Sequence, residues 1–93
     1  MDDALRRDIE VATRILKEAG ATEVYVFGSA ATGDMRPGSD IDFAIRGLPP
    51  QIFFRTMGKV TCAVSRPVEL VDLDDSKDFA DFLTQEGELV RVG

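Results

Sequence analysis

The sequence predicts an α/β (α+β) fold: a small mixed β-sheet of three to four strands with helices packed against it. Three observations carry this expectation. Leu5, Ile9, Ala12, Leu16 and Ala19 recur every three or four residues and draw one apolar stripe on a helix. Short apolar or alternating runs at residues 23–27, 40–45 and 67–73 read as strands, and they interleave with further helical patterns. The strand that carries Asp40 is expected to run antiparallel to the first, which makes the sheet mixed.

Taken in order, residues 3–19 form the first helix. Asp2 or Asp3 is placed to cap its start, and Gly20 suits the left-handed residue just past its end. Arg6, Arg7, Arg14 and Lys17 are read as its solvated face. Residues 23–27 are nearly all apolar after Glu23, as in a strand covered on both faces. The chain turns at Gly28, and Ser29 to Thr32 begin a short helix ended by Gly33. Residues 34–39 are a loop marked by Pro37-Gly38. Arg36 in this loop is either a surface residue or a phosphate contact. After the second strand, residues 47–50 break the chain with two prolines, the second of which fits a helix's first turn. Ile52, Phe53, Met57 and Val60 then predict a helix over 51–64 with a core-facing stripe, and Cys62 reads as buried or half-buried. Residues 67–73 are the third strand. Residues 76–86 form a last helix that buries Phe79, Phe82 and Leu83, Gly87 ends it, and residues 88–92 alternate as a final edge strand.

Ninety-three residues are expected to make one domain. A chain this size buries only about 60–65% of its unfolded surface, so its stability should be modest. No apolar run approaches the roughly 20 residues needed to cross a bilayer, so no membrane partner is expected. The charged start, MDDALRRDIE, does not read as a signal peptide. A lone cysteine cannot form an internal disulfide, and a reducing cytoplasm is the simplest setting. The absence of histidine removes the commonest general base and the Ser-His-Asp and Cys-His systems. With one cysteine and no histidine a structural zinc site is out of reach, so any metal must be held by oxygen. The net charge of −6 argues against a nucleic-acid acceptor, because such binders present basic patches.

The chemistry concentrates between Val24 and Ile45. Residues two apart in a strand share a face, so Asp40 and Asp42 project together while Ile41, Phe43 and Ile45 enter the core. Across from them stands the Gly28-Ser29 turn. Glycine lets a phosphate approach the backbone, and a helix start offers N–H groups with a positive dipole end. The plainer reading is a tight turn with Ser29 as helix cap. One carboxylate of the third strand should meet the aspartate pair. Glu69 and Asp72 are the candidates, on opposite faces, and Asp72 sits in an acidic run that reads mostly as turn and cap. Converging carboxylates repel by roughly 4 kcal/mol per pair at 4 Å and an effective dielectric of about 20, so such a cluster requires a counter-charge.

Gly28-Ser29, ten residues, then Asp40-x-Asp42 resembles the signature of the minimal nucleotidyltransferases (MNT), small members of the DNA polymerase β-like superfamily. The likeness continues through PVELVDL at Pro67 to Leu73 and the closing EGELV, and so spans nearly the whole chain. It implies a nucleotidyltransferase fold, ATP as substrate and Mg²⁺, two ions, as cofactor. Asp40, Asp42 and, by position in the family pattern, Glu69 would ligate the metals, with Glu69 also helping to deprotonate the acceptor hydroxyl. Gly28 and Ser29 would hold the β- and γ-phosphates, while Ser39, preceding Asp40 as in the family, would orient the loop.

Proteins of this kind are often the antitoxin half of HEPN/MNT toxin–antitoxin pairs and adenylylate a tyrosine of the HEPN toxin. That toxin is the partner the resemblance implies. The chain departs from the pattern at Thr32, where arginine is frequent, and at Glu69, where aspartate is usual. The competing expectation is a binding module that neutralises a toxin by sequestration. A third, transfer to a small-molecule hydroxyl, would require a second domain for the acceptor.

Overall fold

The structure, a computed structural model, describes residues 3–33, 36, 38–75, 77–86 and 89–93. Asp2 as a cap, Pro37 as loop marker, Ser76 as the start of the last helix, Gly87 as its end and Glu88 as the first residue of the edge strand lie outside the described residues.

The opening stripe folds as α1 (Asp3–Ala19), burying Leu5, Ile9, Ala12 and Leu16. Gly20 ends it with φ +124°. The Gly20 N–H bonds the Lys17 carbonyl at 3.1 Å and the Ala21 N–H bonds the Leu16 carbonyl at 3.0 Å, a Schellman termination. Burial of an aliphatic side chain such as the inaccessible Leu16 is worth about 1.5–3 kcal/mol, so this face holds α1 to the sheet. Arg6, Arg7, Arg14 and Lys17 are exposed, in keeping with a solvated face.

β1 (Glu23–Phe27) leads through Gly28 into α2 (Ser29–Thr32), closed by Gly33 at φ +85°. β2 (Ile41–Arg46) returns antiparallel to β1. A 3₁₀ turn, Pro50–Ile52, precedes α3 (Phe53–Ala63), so the expected helix over 51–64 is really two pieces. β3 (Val68–Asp72) pairs parallel with β2, α4 (Lys77–Glu86) follows, and β4 (Val90–Arg91) pairs antiparallel with β1. Among the described residues the sheet has four strands in the order β3-β2-β1-β4, a mixed sheet as expected.

The strand period divides the core between two faces. On one face Val24, Val26, Ile41, Phe43, Ile45 and Leu70 pack with α1 and with Val60 of α3. On the other, Ala44 and Leu73 pack with Ala80 and Leu83 of α4, and Phe27 meets Phe79 edge-on at 6.1 Å between ring centroids. Two sequence expectations fail here. Phe82 is 55% exposed: Phe79, Ala80 and Leu83 make the inward stripe, and Phe82 stands roughly 100° around the helix from its centre. Cys62 is exposed, because α3 turns Thr56 and Val60 inward and residue 62 falls on the opposite side.

One buried charge ties the layers together. Asp8 of α1 is only 6% exposed, and its carboxylate accepts from the Ser65 hydroxyl at 2.6 Å and the Ser65 N–H at 3.3 Å. The bond fixes the chain between α3 and β3. No helix among the described residues is long and apolar enough to cross a membrane.

Candidate active site

The end of β1 and the beginnings of β2 and β3 meet along one line across the sheet. Phe27 pairs with Asp42, and Asp42 pairs with Glu69. Asp42 alternates with Ala44 and therefore points to the α4 side, and Glu69, in register with it, points the same way. Asp42 is half-buried and Glu69 exposed, and the two carboxyl groups are close enough for a hydrogen bond between them to favour the protonated form of Asp42. Burial, then the Glu69 charge and that hydrogen bond, and last the Asp40 charge push Asp42 up from its ordinary 3.8 to about 6.

Gly28 supplies the wall of the site. Its backbone adopts φ +64° and ψ −142°, a region that side chains avoid, and a Cβ there would stand 2.7 Å from the Asp42 Oδ2. Glycine is thus required by conformation and by the carboxylate. The family resemblance implies a phosphate beside this glycine; the structure adds that Asp42 itself lies against the backbone. Ser29 follows as the first residue of α2, whose turn is closed by Ala31 and Thr32 N–H groups donating to the Gly28 carbonyl at 3.0 and 3.2 Å.

Asp40 stands exposed one residue before β2, and its charge reaches Asp42. Ser39 closes a small turn beside it. The Ser39 N–H donates to the Arg36 carbonyl at 3.0 Å, and the Ser39 Oγ accepts from the Arg36 N–H at 3.1 Å. Asp72 lies three residues beyond Glu69 with its side chain on the opposite face, where its Oδ1 accepts the Asp74 N–H at 2.9 Å and caps the turn after β3. The structure therefore brings Asp42 together with Glu69 and Gly28, places Ser39 and Asp40 on the turn just before β2, and leaves Asp72 apart. Sequence reasoning passed over Arg66, whose Nη1 donates to the Arg36 carbonyl at 3.1 Å. Its signal was only its position two residues before a predicted strand.

Among the described residues no three carboxylate or thiol groups already converge as a metal-holding set. The donor chemistry nevertheless fits a hard divalent ion. Asp42 and Glu69 are oxygen donors in register on adjacent strands, and their mutual repulsion is what a divalent cation between them would neutralise.

The family model "Polymerase beta, Nucleotidyltransferase" matches residues 10–91. No curated protein matches the chain in sequence. Among solved structures, a candidate minimal nucleotidyltransferase is similar over 99% of this chain and 97% of its own, with 23% identity and a TM-score of 0.79. A toxin–antitoxin structure with AMP-PNP is similar over 90% of this chain and 70% of its own, with 21% identity and a TM-score of 0.72. The Shewanella oneidensis complex of a tri-AMPylated HEPN toxin with its MNT antitoxin is similar over 94% of this chain and 70% of the matched chain, with 18% identity and a TM-score of 0.67. At these identities the structures establish a shared fold, and the family match covers most of the chain. The chain belongs to the polymerase beta nucleotidyltransferase family.

Proposed function

We propose that residues 1–93 act as one Mg²⁺-dependent nucleotidyltransferase domain that moves AMP from ATP to a hydroxyl of a partner protein. The partner is a HEPN toxin, its acceptor a tyrosine, and this chain the antitoxin. The observation that carries the reading is the Asp42 carboxyl seated against the Gly28 backbone, with Glu69 beside it in register on the next strand. Family membership supports nucleotidyl transfer, and the similarity to antitoxins in complexes with AMP-PNP and with an AMPylated toxin supports the nucleotide and the partner. A reducing cytoplasm is the setting this reading implies.

Asp40, Asp42 and Glu69 would hold Mg²⁺, two ions, which supply neutralisation of the carboxylate cluster and of the triphosphate when bound. Gly28, with no side chain, leaves its backbone open to the β- and γ-phosphates, and the Ser29 hydroxyl donates to them. Ser39 keeps the preceding turn closed so that Asp40 enters β2 at a fixed place. Glu69, at the exposed edge of the pair, accepts the proton of the acceptor hydroxyl. The acceptor oxygen bonds to the α-phosphorus, the bond from that phosphorus to the α,β-bridging oxygen breaks, and pyrophosphate leaves.

The test is transfer with Mg²⁺, the cognate toxin and ATP labelled at either the α- or the γ-phosphate. Label from the α-phosphate on the toxin, with release of pyrophosphate, is expected. Label from the γ-phosphate would make the protein a kinase and overturn the mechanism. No label on a toxin that is nonetheless neutralised would leave sequestration as the function.

A further inference from the structure

Arg66 is held in an unusually determined place. Its predecessor Ser65 is bonded through both N–H and hydroxyl to the buried Asp8. The carbonyl of its successor, Pro67, accepts the Ile41 N–H at 3.0 Å, which continues the β2–β3 ladder beyond the strand. The backbone on either side is therefore pinned, one side to α1 and the other to β2. The ladder pairs Ile41 with Val68, and continuing that register back by two residues sets Arg66 level with Ser39. From there its Nη1 crosses to the Arg36 carbonyl at 3.1 Å, the same carbonyl that takes the Ser39 N–H at 3.0 Å. A charged donor and an amide thus converge on one oxygen and close the turn that delivers Asp40.

We infer that Arg66 is a positioning residue for this site: its guanidinium clamps the Arg36–Ser39 turn and so fixes where Ser39 and Asp40 stand relative to Asp42 and Glu69. The inference rests on the transfer reading above for its catalytic consequence, and on the hydrogen bonds alone for its structural one. Without the clamp, Asp40 follows a turn held, among the described residues, by the Arg36–Ser39 hydrogen bonds alone, and the third carboxylate of the set loses its fixed approach to the other two. Misplacement of about 1 Å at a reacting centre is enough to cost up to about a hundredfold in rate. The guanidinium acts on a main-chain oxygen, so the identity of the Arg36 side chain does not enter the clamp.

The experiment compares Arg66→Met, which keeps an unbranched apolar stem and removes every side-chain donor, with Arg66→Lys, which keeps one charged donor group, and with Arg36→Ala, which keeps the carbonyl. Amide hydrogen exchange over residues 36–41 is measured on each metal-free protein, and transfer of labelled AMP on each loaded one. Arg66→Met should speed exchange in that segment by about fivefold or more while the rest of the sheet keeps its protection. It should also lower kcat/KM by about tenfold or more, with a melting temperature within about 3 °C of the parent. Arg66→Lys should restore part of both losses, and Arg36→Ala should keep the parent's exchange pattern. Parent-like exchange in Arg66→Met overturns the clamp, and so does a loss of activity accompanied by a matching loss of protection throughout the molecule. If the parent transfers nothing, the transfer reading fails by itself, and the exchange comparison still decides the clamp.

Discussion

Removing one charge from the site should stabilise the protein when no metal is present, and Asp42→Asn is the perturbation that reads this directly. Folding raises the Asp42 pKa from 3.8 to about 6, by burial first and by Glu69 next. A raised acid pKa means that the folded state holds this proton more tightly than the unfolded chain does. The cost is therefore absent below about pH 4, grows between pH 4 and 6, and is complete above 6. Taken whole, a shift of that size corresponds to about 3 kcal/mol. Asp42 is only half-buried, and solvent screening reduces this to about 1–2 kcal/mol at neutral pH. Asparagine keeps the shape, cannot ionise, and offers an N–H donor toward Glu69 at every pH. In EDTA at pH 7 the variant should melt about 4–16 °C above the parent, at about 4–8 °C per kcal/mol for a domain this size. The two should converge as the pH falls to 4. Mg²⁺ with ATP at a hundred times its Kd should then stabilise the parent by about 2.7 kcal/mol and the variant much less, which reverses the order of the two melting curves. Thermal melts from pH 4 to 8, with and without ligand, suffice. If Asp42→Asn destabilises the metal-free protein by several kcal/mol at every pH, Asp42 is a hydrogen-bonded structural residue and the cluster argument fails at its centre.

Three further outcomes follow from the same geometry. Glu69→Gln should reduce AMP transfer by orders of magnitude while Asp72→Asn, at the turn cap, changes it little; the opposite ranking in a labelled-ATP assay would mean that the register at β3 is wrong. Gly28→Ala should abolish transfer and cost about 1–3 kcal/mol, since it imposes a strained φ and drives a methyl into the Asp42 carboxylate; unchanged stability in denaturant titration would remove Gly28 from its role as the wall of the site. Asp8→Ala should lower stability by about 1–3 kcal/mol, because it strands the Ser65 N–H and hydroxyl beside α1, and a melt indistinguishable from the parent would show that the bond contributes nothing.

The parts of this fold that could be read from the sequence are those whose cause is local. The α1 stripe, its glycine termination and the burial of Ile41, Phe43 and Ile45 each follow from neighbours within a turn or a pleat, and each stands as expected, whereas β2 begins only at Ile41 and Ala44 is buried too, on the face toward α4. Side-chain facing in α3 and α4 was less legible, because it depends on which sheet face the helix meets. Ala80, a weak hydrophobic signal, takes the inward place that Phe82 was expected to fill, since Phe79 and Leu83 already define a stripe that includes it. The same division holds at the site. Asp40-x-Asp42 and Gly28-Ser29 are visible as short motifs, but what brings them into contact is not. The antiparallel pairing of Phe27 with Asp42 presses the Gly28 backbone against a carboxylate, and a parallel register across α3 sets Glu69 on the other side. A parallel pair has no hairpin turn to fix its register, so that register is set by how α3 packs and by anchors such as Asp8 on Ser65. Asp8 and Arg66 carry no motif because their partners are a hydroxyl and a carbonyl that any sequence could place there. The carboxylates of this site are therefore legible in the sequence, whereas the residues that hold those carboxylates in register become legible only in the folded chain.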